Sequence, residues 1–257
     1  MKRLATAVVL IPVIVWLVLA GPDWAFQAVL AGIGLIAYYE FDQIASASGA
    51  ARSGIAGMLA GLAMMFAPAP QVVVVIAALA GMTLALRVAD LARAMVTAAA
   101  LVLGVVYIFG AWRCAIELRS HLNGHHWLMF ALLLSWAGDT AALYVGKTLG
   151  HHPLASRVSP AKTWEGAIGS VAGGVLAGWI YALYLLPSAA WWMVLILACA
   201  GNLAGQIGDL CESAMKRGAG VKDSGHTLPG HGGWLDRIDS SLFSVPVVYG
   251  LLLVFRV

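Results

Sequence analysis

Charge is what this sequence has least of. Only 11% of its 257 residues are Asp, Glu, Lys or Arg, against 61% hydrophobic. A soluble domain carries about 25% charged residues, so a soluble domain with a single anchor is excluded and an integral membrane protein is indicated. Cysteine is also scarce. Cys114, Cys199 and Cys211 are too few and too scattered for a disulfide framework or a zinc site. The net charge of +3 is too small to suggest nucleic acid as a partner. No bilayer-length stretch alternates apolar and polar residues, so a membrane barrel is not expected.

What is present is a series of apolar stretches. Nine are long enough to cross or nearly cross a bilayer, which takes about 17–25 helical residues. They run roughly 4–20, 24–41, 54–68, 70–87, 94–113, 126–147, 166–186, 189–212 and 241–256. Backbone groups in lipid must be satisfied within the segment, so each is expected to be a helix. The third is short, and its tight break at Pro68–Pro70 also suits a re-entrant or tilted piece. The first resembles a signal peptide ending at "VLA", but eight further spans favour a first transmembrane helix.

The expected fold is therefore all-α and polytopic, with about nine transmembrane helices and polar catalytic loops in the cytoplasm. No linker marks a second domain. Residues 1–125 read as N-terminal membrane helices and 126–257 as the catalytic region of one integral membrane unit. With the N-terminus inside, nine crossings put 12 of the 15 Lys and Arg inside and 3 outside, Arg113, Arg119 and Arg256. The positive-inside rule thus favours a multi-pass protein, bacterial inner membrane by expectation, with segments 147–165 and 213–240 facing the cytoplasm. Gly57/Gly61, Gly169/Gly173 and Gly174/Gly178 permit close helix contacts, within a chain or in a homodimer.

Against this background the polar residues stand out. In the eighth stretch Asn202, Gln206, Asp209 and Ser213 fall on one helical face, with Glu212 at its edge. Carboxylates at membrane depth normally face a partner or a wet cavity. Ser135 and Asp139 repeat the pattern in the sixth. "GKT" at 146–148 ends like a phosphate-binding loop, but Ala141 replaces the required first glycine and no strand precedes it, so that reading fails.

The densest segment is 213–240. Lys216, Arg217, Lys222 and Arg237 are able to neutralise phosphates. Asp223, Asp236 and Asp239 are hard oxygen ligands, suited to magnesium more than to zinc. Gly218, Gly220, Gly225, Gly230, Gly232 and Gly233 let backbone amides approach an anion. Cations and carboxylates so close would partly cancel unless a third party uses both, and a metal–nucleotide complex is such a party. His231 is a candidate phosphate contact, and His226 carries little weight.

"SAMKRGAGVKDSGHTLPGHGGWLDRID", Ser213 to Asp239, resembles the signature of the CDP-diacylglycerol synthase family, the phosphatidate cytidylyltransferases. Ser213, Lys216, Arg217, Lys222, Asp223, Pro229, His231, Gly232, Gly233, Asp236, Arg237 and Asp239 carry the likeness. "GDTAALYVGKTLGHHPLASRVSPAKTWEG", Gly138 to Gly166, and "GDLCES", Gly208 to Ser213, resemble the family too. Trp234 replaces a usual aliphatic residue, and Ala161 stands where many members have a second lysine.

The resemblance implies transfer of a cytidylyl group from CTP to phosphatidate of the lipid bilayer, giving CDP-diacylglycerol and pyrophosphate in phospholipid biosynthesis. It implies magnesium, with a monovalent ion such as potassium as a second cation. By that likeness Asp209, Asp236 and Asp239 hold the metal, and Asp223 is a weaker fourth candidate. Lys216, Arg217, Lys222 and Arg237 act on phosphates. Asp139, Ser159, Lys162, Glu165, Ser213 and His231 contact substrate. Three rivals stand beside this reading. An ion-coupled transporter accounts for the membrane acids but not for the 213–239 segment. A relative acting on another lipid phosphate, or a polyprenol-type kinase, shares the chemistry. An inactive paralogue conflicts with the retained acids.

Overall fold

A computed structural model describes the backbone of residues 2–225, 227 and 232–256, and within these the side chains from residue 10 onward. Each of the nine apolar stretches is helical. The helices are α1 (Lys2–Leu19), α2 (Asp23–Ala47), α3 (Gly54–Phe66) and α4 (Pro70–Ala85), then a run made of a 3₁₀ turn (Leu91–Arg93), α5 (Ala94–Gly104), a π-helical segment (Val105–Gly110) and α6 (Ala111–Ser120). There follow α7 (Gly124–Leu149), α8 (Trp164–Leu185), α9 (Trp191–Gly218), the short α10 (Leu235–Ile238) and α11 (Ser241–Phe255).

Among the described residues six segments are long and apolar enough to cross a membrane: Asp23–Ala47, Leu91–Ser120, Gly124–Leu149, Trp164–Leu185, Trp191–Gly218 and Leu235–Phe255. The protein is thus a multi-pass helical membrane protein. Leu10–Leu19, Gly54–Phe66 and Pro70–Ala85 are shorter apolar helices. At 1.5 Å per residue α3 is about 20 Å long, short of a hydrocarbon core of about 30 Å. Pro70 begins α4 as its first residue, where a missing N–H costs nothing.

One element departs from the all-α expectation. Pro153–Ala155 (β1) and Ser159–Thr163 (β2) pair antiparallel, Pro153 with Thr163 and Ala155 with Ser159. Strands this short lie outside the apolar spans and leave no bilayer-length alternation to read. The hairpin leads straight into α8, whose N-cap is Thr163. Its hydroxyl accepts the Gly166 N–H at 3.1 Å.

The chain divides into two compact units. The first contains 1–17, 21–113 and 215–238, and the second 18–20, 114–214 and 239–257. In the first, Tyr38, Phe41, Val105, Ile108 and Phe109 form a buried core. Gly57 and Gly61 admit Tyr38 and Phe109, since a Cβ at either would strike those rings. Asp42 accepts the Ser53 N–H at 3.0 Å, the Ser53 hydroxyl at 2.8 Å and the Gly54 N–H at 3.2 Å, which fixes the start of α3.

In the second unit α7 and α8 pack along a glycine seam. A Cβ at Gly169 would meet Val145 at 2.7 Å, and one at Gly178 would meet Leu134 at 2.7 Å. Gly138 and Gly174 leave room for Asn202. Its amide donates to the Leu134 carbonyl at 3.0 Å, and its Oδ1 accepts from Gln206 at 2.8 Å. The upper part of the polar stripe on α9 is therefore an interhelical clasp. All three glycine pairs singled out in the sequence are used for packing inside the chain.

Candidate functional site

In the second unit β2 carries Lys162 to α9. Lys162 Nζ lies 2.5 Å from Asp209 Oδ2, and the Ser213 hydroxyl is 3.4 Å from Asp209 Oδ1. A cavity of about 280 Å³ opens here, lined by Asp139, Lys162, Gln206 and Asp209 on its polar side and by Leu143 and Leu154 among its apolar residues. Ser159 begins β2 and is partly exposed. The hairpin is secured by Glu165, whose Oε2 accepts the amides of His151 and His152 at 3.2 and 3.3 Å. Its Oε1 lies 2.5 Å from His152 Nδ1. These bonds make Glu165 a holder of the hairpin that presents Lys162.

Asp239 is buried in the same unit, and its Oδ1 accepts the Ser240 N–H at 2.7 Å. It lies in the field of three like charges, Asp209, Glu212 and Asp139. Gly208 explains this approach: a Cβ there would meet the Asp239 carbonyl oxygen at 2.8 Å. Asp209, Glu212 and Asp139 each disfavour a negative charge on Asp239, and crowding of this kind is what a hard divalent cation relieves. Among the described residues no three His, Cys, Asp or Glu side chains already stand together at metal-binding geometry.

In the first unit Lys216 and Asp236 pair at 2.5 Å, with side chains only 10% and 6% exposed. Asp236 Oδ2 also accepts the amides of Gly233 at 2.8 Å and Ser224 at 3.0 Å. Arg217 donates to the Val221 carbonyl at 3.0 Å and so closes the end of α9. Lys222, Asp223 and Arg237 are exposed. His231, with Pro229 and Gly230, lies outside the described residues. Of the three carboxylates expected to hold metal, Asp209 and Asp239 belong to the second unit. Asp236 belongs to the first, where Lys216 and two amides already engage it.

One residue escaped the sequence reading. Glu40 on α2 is 1% exposed, and it accepts hydrogen bonds from Ser224 Oγ at 2.9 Å, Thr227 Oγ1 at 2.5 Å, Trp234 N at 3.1 Å and Leu235 N at 2.9 Å. The signal was available: Glu40 is an acid in an apolar stretch, and an ionisable residue at membrane depth is a functional candidate by default.

Helices of membrane length, with Lys–carboxylate pairs at Lys162–Asp209 and Lys216–Asp236, define the class of polytopic helical membrane proteins with charged groups held between apolar spans. The sequence profile of the cytidylyltransferase family matches residues 1–255, and the chain belongs to that family. It is similar to the phosphatidate cytidylyltransferase of Brucella suis, 34% identical over 256 residues that cover 96% of this chain and 91% of the relative. It is also similar to those of Staphylococcus saprophyticus, 38% identical over 156 residues, and Bacillus subtilis, 39% over 154 residues. Those two matches cover 61% and 60% of this chain, but only 59% and 57% of the relatives' own lengths.

Proposed function

We propose that the protein transfers the cytidylyl group of CTP to phosphatidate, releasing pyrophosphate and leaving CDP-diacylglycerol in the membrane. The match of residues 1–255 to the cytidylyltransferase family carries this reading, and relatives named phosphatidate cytidylyltransferase support the choice of substrates. A phosphate oxygen of phosphatidate attacks the α-phosphorus of CTP. The bond from that phosphorus to the β-phosphate bridging oxygen breaks, and its electron pair leaves with pyrophosphate. No general base is needed, because a phosphate monoester is largely dianionic near neutral pH. Charge repulsion is the main obstacle, and preorganised cations are the main remedy.

Lys216, Arg217, Lys222 and Arg237 are the proposed phosphate contacts of the first unit. In the second, Lys162, with Ser159, Ser213 and Asp139 around it, is proposed to receive an anionic headgroup. Magnesium is the proposed cofactor, with Asp209 and Asp239 as its oxygen donors and Asp236 as a further carboxylate. When bound it supplies Lewis-acid charge neutralisation at phosphoryl oxygens. A monovalent cation is proposed beside it. The testing experiment is magnesium-dependent pyrophosphate release by the purified protein from CTP plus phosphatidate, with CDP-diacylglycerol as co-product. CTP consumption with another lipid phosphate, and none with phosphatidate, assigns the relative with a different acceptor instead.

Arg217 separates two roles. A residue that only anchors a helix end needs positive charge alone, whereas a guanidinium on two phosphate oxygens is not replaced by an ammonium. Arg217→Lys is expected to lower turnover at least about tenfold, roughly 1.4 kcal/mol of transition-state stabilisation, with little change in membrane yield. Wild-type kinetics in this variant return Arg217 to the end of α9 and leave Lys222 and Arg237 as the phosphate contacts.

The proposed orientation places the N-terminus and both polar segments in the cytoplasm of a bacterial inner membrane. The 12-to-3 division of Lys and Arg supports it. Nine crossings put the C-terminal end outside, whereas six return it to the side of the N-terminus. A reporter fused after Val257 is expected to read as external. A cytoplasmic reading means that an odd number of the three short helices fails to cross.

A further inference from the structure

We propose that Glu40 is a positioning residue: from α2 it holds Ser224, Thr227, Trp234 and Leu235 so that Asp236 aims the Lys216 ammonium. This rests on the cytidylyltransferase reading above. An ionised carboxylate offers about four acceptor sites, and Glu40 receives four hydrogen bonds, all from residues 184 to 195 positions away in the chain. Every one of these donors is neutral. Among the described residues, neutral donors and not a cation accompany this acid at 1% exposure.

An apolar side chain at this position would leave four donors without their acceptor, so the acid ties these residues to α2. What the acid provides is geometry. Ser224 donates its hydroxyl to Glu40 at 2.9 Å, and the same oxygen accepts the Asp236 N–H at 3.3 Å. The Ser224 N–H returns to Asp236 Oδ2 at 3.0 Å, and Asp236 Oδ1 holds Lys216 Nζ at 2.5 Å. The connection Glu40–Ser224–Asp236–Lys216 is thus continuous in hydrogen bonds. Two glycines exist to admit it. A Cβ at Gly225 would come within 2.7 Å of Glu40 Oε1, and one at Gly233 would strike both Ser224 Oγ and Glu40. Helix α2, which lies outside the motifs quoted from the sequence, thereby sets the placement of a proposed phosphate contact.

The test is Glu40→Gln, whose single carbonyl oxygen leaves half of the four donors facing an NH₂ group. Hydrogen exchange in detergent is expected to speed up at the amides of Ser224, Trp234 and Leu235 and to stay unchanged in α4 and α5. Turnover per folded molecule is expected to fall at least tenfold, with the KM for CTP changed less than threefold. Ser224→Ala, a milder change, is expected to shift both readouts the same way and keeps the test open if Glu40→Gln does not accumulate. Unchanged exchange overturns the anchoring. Faster exchange with wild-type turnover per folded molecule overturns the positioning role and leaves a structural one. A wild-type protein that makes no CDP-diacylglycerol overturns the functional reading instead, while the exchange still decides the anchoring on its own.

Discussion

Replacing Asp236 by Asn is expected to lower turnover by about 10²–10³-fold, the usual cost of misplacing one preorganised group that stabilises transition-state charge. The carboxylate accepts from Lys216, Gly233 and Ser224, and an amide nitrogen in place of either oxygen turns an acceptor toward a donor. Because the Lys216–Asp236 pair is nearly buried, its loss also destabilises, by about 3–5 kcal/mol for a buried pair broken on one side. Activity must therefore be counted per folded molecule, alongside thermal unfolding in detergent. Magnesium titration separates the two roles of Asp236. A metal ligand lost shifts the magnesium requirement upward, and excess metal recovers part of the rate. A lost holder of Lys216 is not rescued by metal. Near-normal turnover at saturating magnesium removes Asp236 from both roles.

Asp209→Asn is expected to cost about 10²-fold in turnover and less in stability than Asp236→Asn. The Lys162–Asp209 pair has side chains 28% and 31% exposed, so breaking it costs less than breaking the nearly buried Lys216–Asp236 pair. Its place on the wall of a cavity is explained by what enters the cavity. Lys162→Met is expected to match Asp209→Asn in unfolding temperature. It differs in kinetics: losing the cation raises the KM for the lipid phosphate, whereas losing the acid lowers kcat and its dependence on magnesium. Unfolding temperatures far below wild type in both variants, with normal turnover of the folded fraction, make the pair a structural clasp.

The helices were legible because hydrophobicity in lipid is a local property. The α1–α11 spans follow the nine apolar stretches within a few residues at most ends, and Pro70 and Thr163 mark two helix starts by chemistry that needs no neighbour. The β1–β2 hairpin was not legible, since strands of three and five residues leave no periodicity. Composition likewise does not decide whether a helix as short as α3 crosses.

The site was legible as a parts inventory and not as an arrangement. Lys216 and Asp236 were visible as cation and carboxylate, yet nothing in a string of letters pairs residues 20 apart rather than setting both toward a ligand. The same holds for Lys162 and Asp209, 47 apart. Glu165 illustrates the limit: its motif suggested substrate, and the fold commits its oxygens to His151 and His152.

The sequence by itself determined that this chain is a membrane protein, that its polar chemistry sits in two short segments, and that these carry the cytidylyltransferase pattern. Hydropathy and residue type are enough for that, because transfer to lipid is additive along a chain. Tertiary structure alone decided which carboxylate meets which cation, which half of the α9 stripe is clasp and which is cavity, and that Glu40 reaches Ser224 and Leu235. Hydrogen bonds and ion pairs form at about 3 Å, a distance set by how helices far apart in sequence pack against each other.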